Sequence, residues 1–432
     1  MSSMSSMSSM RHWDCVDDSH APAPVVAPAL PEFAGGLRLL HEGYGYGSKR
    51  FEQLQTDYFR ARVLTTEAVF MRGLDAARFF YEGGHFARHG AMPASTTSLL
   101  QGSLSVQGLE GEAHRERKAM LVSLLDDDAW LLECFRRRWD QAARHWSMAQ
   151  RIVLQQEIVP VLAEAAMDWA GVPVRSRDRG RPGELASMVQ YSGTVGPVNW
   201  AARARRLRTE AWARSLIREA RRSRDTRQTP LARLAHHRNR SGQLLSVDTA
   251  ATELVNLLRP VVAVGRFIVY AALSLHRRAR WRHAFEEGDE GDLMGFVDEV
   301  RRFYPFFPII AGRAQNDLHW RGLALPKHSL VVLDLYATDH DPAVWPQPMR
   351  FRPQRFREAG DSLVVAQGLG EIETTHHCPG EGITRALMAE SVRLLARDMR
   401  YEVPAQDLRV SLRRFPSGPK DGFIMSDIRL AA

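Results

Sequence analysis

The sequence predicts a mainly α-helical fold with a minor β portion, organised as one domain. Three observations predict it. Two long stretches, Glu112 to about Ala170 and Thr249 to Leu275, carry apolar residues at helical spacing with few breakers. Runs of alternating and β-branched residues are short and confined mainly to 61–71 and 309–335. The 432 residues are 44% hydrophobic and 25% charged, enough to bury one large core or two moderate ones, and no internal repeat or clear boundary divides the chain after its N-terminal stretch.

In chain order, residues 1–30 open with MSSMSSMSSM and continue in Ala-Pro alternation. They lack the apolar centre of a signal peptide and read as a disordered leader, leaving 31–432 as the folded domain. Ala61 to Met71 (ARVLTTEAVFM) reads as a strand pair, followed by a helix near Leu74 to Tyr81. Arg175 to Gly183 is a charged connector, after which Arg203 to Ser223 is helical with its arginines as a solvated face. Thr249 to Leu275 reads as one long helix. It approaches the length of a membrane span, but Arg259 and Arg266 would each cost on the order of 3 kcal/mol at membrane depth, so it is a buried core helix and no span is expected. A short helix, Asp292 to Phe303, ends at Tyr304-Pro305. Strands are expected at Ile309 to Arg313, His319 to Leu325 and Leu330 to Leu335, then a meandering loop from Asp339 to Arg357. Cys378-Pro379-Gly380 introduces a last long helix, Glu381 to Arg400, and a tail with β character.

The net charge of +8 raises the question of a nucleic-acid partner. The cations are almost all arginine, with only Lys49, Lys118, Lys327 and Lys420 as lysines, and acids are interspersed with them. That is a compositional bias rather than a basic patch, and no nucleic-acid site is expected. Three cysteines, Cys15, Cys134 and Cys378, form no CxxC pair and no disulfide framework, which fits a reducing cytoplasm. His376 and His377 precede Cys378, but adjacent residues do not readily share one zinc ion.

Cys378 stands just before a helix N-terminus, whose free N–H groups and dipole favour a thiolate. The loop Gln367-Gly368-Leu369-Gly370 can approach the sulfur and add hydrogen bonds. Such a thiolate suits the axial position of a haem iron, although a lone cysteine is more often a buried structural residue. Glu299 and Arg302 lie at i, i+3 and can pair on one helix face, with Arg355 following in FRPQRF (Phe351 to Phe356). Pro260 lacks an N–H and collides with the Asn256 carbonyl, so the long helix should kink or open there. Arg259 is then a cation in an apolar wall. A substrate carboxylate and an internal Glu or Asp would neutralise it equally well.

Together these motifs resemble the cytochrome P450 superfamily, and within it the bacterial fatty-acid peroxygenases. The resemblance runs from about residue 35 to the C-terminus through SVQGLEGEAHRERK (Ser105 to Lys118), TVGPVNW (Thr194 to Trp200), ELVNLLRPVVAVGRF (Glu253 to Phe267), EVRRFYPFFP (Glu299 to Pro308), VVLDLYATDHDPAVW (Val331 to Trp345) and HHCPGEGI (His376 to Ile383). It implies a cytochrome P450 fold with a single haem-containing domain. Haem b would be ligated through Cys378, with Glu299, Arg302 and Arg355 as a structural ion triad. His114, Lys118 and Arg313 would contact the haem propionates. Conventional members place an acid or amide and a threonine in the middle of the long helix, where this chain has Asn256-Leu257-Leu258-Arg259-Pro260-Val261. In the peroxygenases the carboxylate of a long-chain fatty acid binds at the Arg259-Pro260 position, substitutes for the missing acid-base group and lets hydrogen peroxide serve without a redox partner. The product is a 2- or 3-hydroxy acid; some relatives release a terminal alkene instead.

Gln107 matches the position facing the haem near the reacting carbons. Glutamine there accompanies hydroxylation and histidine accompanies alkene formation, since a neutral amide cannot relay a proton. Taken alone, Gln107 is a plain loop amide, and His114, Lys118 and Arg313 are ordinary polar surface residues. The chain departs from its relatives at His377, where arginine is usual, at Leu369, where a third glycine is common, and at Gln354, where glutamate is usual. Ala94 to Ser105 matches poorly and would line the acyl channel. The competing readings are fatty-acid decarboxylation, an NADPH-driven monooxygenase with a redox partner, and a haem-binding sensor without turnover.

Overall fold

The expected strand pair forms as Tyr58–Val63 and Thr66–Met71, antiparallel, with Phe59 paired to Phe70. Alternation sends Phe59 and Ala61 into the core. Leu330–Asp334 adds to it in parallel, followed by Ile309–Ala314 and Phe86–Ala87 in antiparallel, completing a five-stranded sheet. The computed structural model describes residues 27–29, 35–63, 66–125, 128–223, 227–359 and 363–431. Within the segment expected as a leader, Ala27 is buried and Ala29 bridges to Arg60, with the Arg60 N–H donating to the Pro28 carbonyl at 2.9 Å. The packed chain therefore reaches further toward the N-terminus than residue 31; residues 1–26 and Leu30 lie outside the described set.

The helical run from Glu112 to Ala170 is three helices, Gly111–Leu124, Asp128–Trp146 and Leu154–Ala170. The last two are separated by a short strand, Arg151–Val153, which pairs with the C-terminal strand Ile424–Leu430. Apolar periodicity does not show this interruption because its cause lies some 270 residues away. The connector ends early: a helix starts at Arg181 with Pro182 in its first turn, where the missing N–H costs nothing. The following helix runs from Pro197 to Arg222 and does not keep all its arginines in solvent, since Arg206 is buried.

The long helix is a pair. Ser246 caps Val247–Ala263, its hydroxyl accepting from the Thr249 N–H at 3.0 Å. The α-helical pattern lapses at Val264, one turn after Pro260, and resumes as Gly265–Arg277. A side chain at 265 would press on Ile158 at 3.0 Å, so glycine lets the second half pack closely. Across Val247–Arg277, 89% of the most apolar window is buried inside the protein, which makes this a core helix despite its length. It packs with Leu154–Ala170, Leu293–Phe303 and Glu381–Arg393 around the main core. The last helix stops being α-helical at Arg393, passes through a π turn (Leu394–Asp398) and becomes the strand Met399–Glu402, short of the Arg400 end expected.

Candidate active site

Cys378 is held by a reversed loop. Its N–H donates to the Gln367 carbonyl at 3.0 Å, and the Gln367 side-chain amide donates to Sγ at 3.7 Å and to Thr384 Oγ1 at 3.1 Å. Arg301 fixes that amide by donating to Gln367 Oε1 at 3.1 Å. Gly368 has φ +110°, and a Cβ there would meet the His377 backbone at 3.0 Å and Tyr81 at 3.2 Å, so only glycine lets the loop close over the sulfur. The helix start has the expected pull, but it does not win alone. Burial pushes the Cys378 thiol up, and the Gly380 N–H, Lys118 and Gln367 only partly oppose it. A coordinated cation is what makes a thiolate stable in such a place.

Glu299, Arg302 and Arg355, the residues of the expected triad, lie together. Glu299 and Arg302 are fully buried and joined by two hydrogen bonds of 2.8 and 3.0 Å. Arg355 Nε stands 3.2 Å from Glu299 as an ion pair without hydrogen-bond alignment, while its other nitrogens donate to the Pro346 and Arg350 carbonyls at 2.9 Å. Sequence reasoning missed the neighbouring Arg301, which is fully buried between Asp298 and Glu381.

A second polar cluster adjoins Cys378. Lys118 donates to the carbonyls of Thr375 (3.0 Å) and His377, and burial lowers its pKa to about 8. The His114 and His376 rings are 4.1 Å apart. Burial, then His376 and Lys118, hold His114 neutral with a pKa of about 3. His376 faces Glu110 at 3.4 Å and His377 faces Glu381, so the two histidines diverge, as their adjacency requires. Among the described residues no group of three or more His, Cys, Asp or Glu could hold a metal ion. Arg88, not singled out in the sequence, is buried against Phe80 and Tyr81 and leaves its Nε without a partner. Arg313 lies opposite Ala87 in the sheet, but its guanidinium is on the His328 carbonyl at 3.3 Å, apart from the contacts that join Lys118, His114 and His376.

On the Val247–Ala263 helix, Arg259 is 7% exposed and donates to the Leu100 carbonyl at 2.7 Å; its Nε has no partner. No carboxylate pairs with it among the described residues. The buried acid of the same helix, Glu253, is already taken by the Val106 N–H (2.8 Å), Arg117 (3.1 Å) and Asn256 (3.2 Å). Leu100 contacts Arg259, Gln101 contacts Asn256 and Val106 contacts Glu253, so the segment from 99 to 107 runs back along this helix. Gln107 sits on a 3-10 turn, Val106–Gly108, with its Oε1 buried and unpartnered, as are Asn256 Oδ1, Ser98 Oγ and Ser105 Oγ. Buried polar atoms are normally satisfied, and a group of orphans around one helix face marks a place for water or ligand.

These residues fit a haem: a sulfur donor under a glycine-closed loop, and beside it cationic and imidazole side chains suited to anionic propionates. The comparisons with known proteins agree. A Cytochrome P450 family model matches residues 293–382. Among curated sequences, the chain is 35% identical over 94 residues to Cytochrome P450 monooxygenase okaD of Penicillium ochrochloron, a match spanning 22% of this chain and 17% of that relative. Solved structures cover far more. A variant of Cytochrome P450SP alpha (CYP152B1) is 37% identical with a TM-score of 0.88, covering 94% of this chain and 100% of its own. Cytochrome P450EX alpha (CYP152N1) with myristic acid is 33% identical with a TM-score of 0.89 at the same coverage. With the same fold and 33–37% identity over nearly its whole length, this chain belongs to the cytochrome P450 superfamily of haem-iron oxidoreductases and, within it, to the CYP152 family.

Proposed function

We propose that this protein hydroxylates long-chain fatty acids at the α or β carbon, using hydrogen peroxide, on a haem b ligated by Cys378. One observation carries the reading: among the described residues, Arg259 is a buried cation with no carboxylate, only a neutral carbonyl, as partner. An unpaired buried charge is costly, and an acid substrate relieves that cost. Its carboxylate can accept two parallel N–H bonds from a guanidinium. The myristic acid bound to Cytochrome P450EX alpha supports the substrate class.

Haem held through Cys378 supplies the oxidising chemistry, with the thiolate favouring O–O cleavage. The chain's own part is to place one proton carrier. With the carboxylate on Arg259, one carboxylate oxygen accepts a proton from hydrogen peroxide and returns it to the departing hydroxyl, which leaves as water. The balance is one C–H and one H2O2 consumed, one C–OH and one H2O formed, so no electron-donating protein takes part. The same clamp fixes the distance from the head group to the oxidised carbon, which confines reaction to the α and β positions. Gln107 is neutral and removes no proton from the substrate, which favours hydroxylation over alkene release. His114, Lys118 and Arg313 are assigned to the propionates, with Arg88 beside them.

The test is incubation of the haem-loaded enzyme with myristic acid and hydrogen peroxide, followed by mass spectrometry. 2- or 3-hydroxymyristic acid is the expected product. Product that appears only with NADPH, ferredoxin and its reductase would make this a conventional monooxygenase; alkene as the main product would reassign Gln107.

A further inference from the structure

Three consecutive carbonyls at the end of the helix Ala94–Leu100 are each taken by a side chain. Arg206 Nη1 donates to Leu99 at 2.6 Å, Arg259 Nη2 to Leu100 at 2.7 Å, and Arg206 Nη2 to Gln101 at 3.0 Å. Asn256 adds a second donor to Gln101 at 3.1 Å. Carbonyls in the last turn of a helix have no partner within it, so they accept whatever donors the fold brings. Here the donors come from two other helices, Pro197–Arg222 and Val247–Ala263.

From this geometry we infer that Arg206 is the positioning residue for Arg259: by gripping the carbonyls on either side of Leu100 it sets where the Leu100 carbonyl stands, and so how the Arg259 guanidinium is turned toward an acid substrate. The inference rests on the reading of Arg259 as the carboxylate anchor. Arg206 is 2% exposed, and its Nε is paired with Glu210 at 2.8 Å. The two buried arginines thus divide the work. Arg206 has a protein acid and two carbonyls and is fully engaged, whereas Arg259 has one carbonyl and a free Nε. Two cations side by side also hold a positive potential at the place where an anion must bind.

Gly102 bears on the same contact from the other side. Its φ is +83°, and a Cβ there would stand 2.6 Å from Arg206 Nη2, so glycine clears the space that the guanidinium fills. A lysine at 206 keeps the charge but presents a single ammonium in place of the two-pronged fork.

The test uses the haem-loaded enzyme. Myristic acid affinity is read without peroxide from the Soret shift, and turnover is read as kcat, KM and the ratio of 2- to 3-hydroxy product. Arg206→Lys is expected to weaken the acid about tenfold, as befits a lost charge-assisted hydrogen bond, to raise KM in step, to leave kcat within about threefold and to shift the product ratio. Gly102→Ala is expected to move the same quantities in the same direction. Arg206→Met should exceed both; if it takes up no haem, Arg206→Lys decides alone. A destabilised but correctly arranged site would lose haem-loaded protein without changing the product ratio. Unchanged affinity and ratio in Arg206→Lys, with Arg259→Ala still abolishing acid binding, would overturn the inference and leave the anchor reading intact. Unchanged acid affinity in Arg259→Ala would bring down both.

Discussion

Arg301 and Arg302 beneath the cysteine loop and Arg259 on the long helix are all buried arginines, yet they keep different company. Arg301 lies between Asp298 and Glu381, and Arg302 makes two hydrogen bonds to Glu299. Burial works against the Arg301 charge, but Glu381 and Asp298 outweigh it and hold its pKa above the ordinary arginine value. At Arg259 burial, then the charge of Arg206, bring the pKa down to about 9, and only Cys378 opposes them. The difference teaches how to tell scaffold from site. On the reading proposed above, a cation matched by protein acids holds the fold together, while one matched only by a carbonyl is kept for a ligand.

The largest expected effect breaks the scaffold side. Glu299→Ala leaves Arg302 and Arg355 without their shared carboxylate and should cost about 3–5 kcal/mol of stability. Urea unfolding of the haem-loaded protein measures this, and a loss under about 1 kcal/mol would remove the triad from the list of structural supports.

His340 offers a smaller effect on the same side. Burial, then Arg302, lower its pKa to about 4 from an ordinary 6.5. Between those values the unfolded chain binds a proton that the folded one refuses, so stability falls as pH drops through that window, by about 3 kcal/mol in all. His340→Gln should flatten that part of the profile. Unfolding of both proteins at about pH 7 and about pH 4 provides the check, and parallel losses would assign the acid sensitivity elsewhere.

On the ligand side the comparison predicts a sign rather than a loss. Arg259→Met removes an unpaired buried cation, so unfolding stability should stay level or rise by up to about 1 kcal/mol. Peroxide-driven turnover should meanwhile fall about a hundredfold or more, the scale of removing one preorganised donor. A stability loss above about 2 kcal/mol would place Arg259 with the scaffold arginines.

The sequence disclosed the scaffold side more readily than the ligand side, for a physical reason. Cys378 with its helix start, and Glu299 with Arg302, are local: the partners are neighbours in the chain, and spacing alone brings them together. Arg206 and Leu99 are 107 residues apart and Arg301 and Glu381 are 80, so nothing in either stretch announces the pair. The abundance of arginine hides it further, because Arg206 reads like its solvent-facing neighbours until the helix is packed. Arg259, the anchor in the proposed reading, was visible as a cation next to a proline in an apolar helix. The proposal of a substrate rather than an internal acid draws on the fold, since it turns on what Glu253 is already holding. Strand Arg151–Val153 escaped for the same cause as Arg206, its partner lying at the far end of the chain.

That far-end partner has a practical consequence. Ile424–Leu430 is the middle of three strands, bonded to Arg151–Val153 on one edge and Met399–Glu402 on the other, while Leu430 itself is largely exposed. Trimming the tail before 424 would strip two segments of their shared backbone partner. In recombinant production, residues 424–430 are therefore to be kept whole.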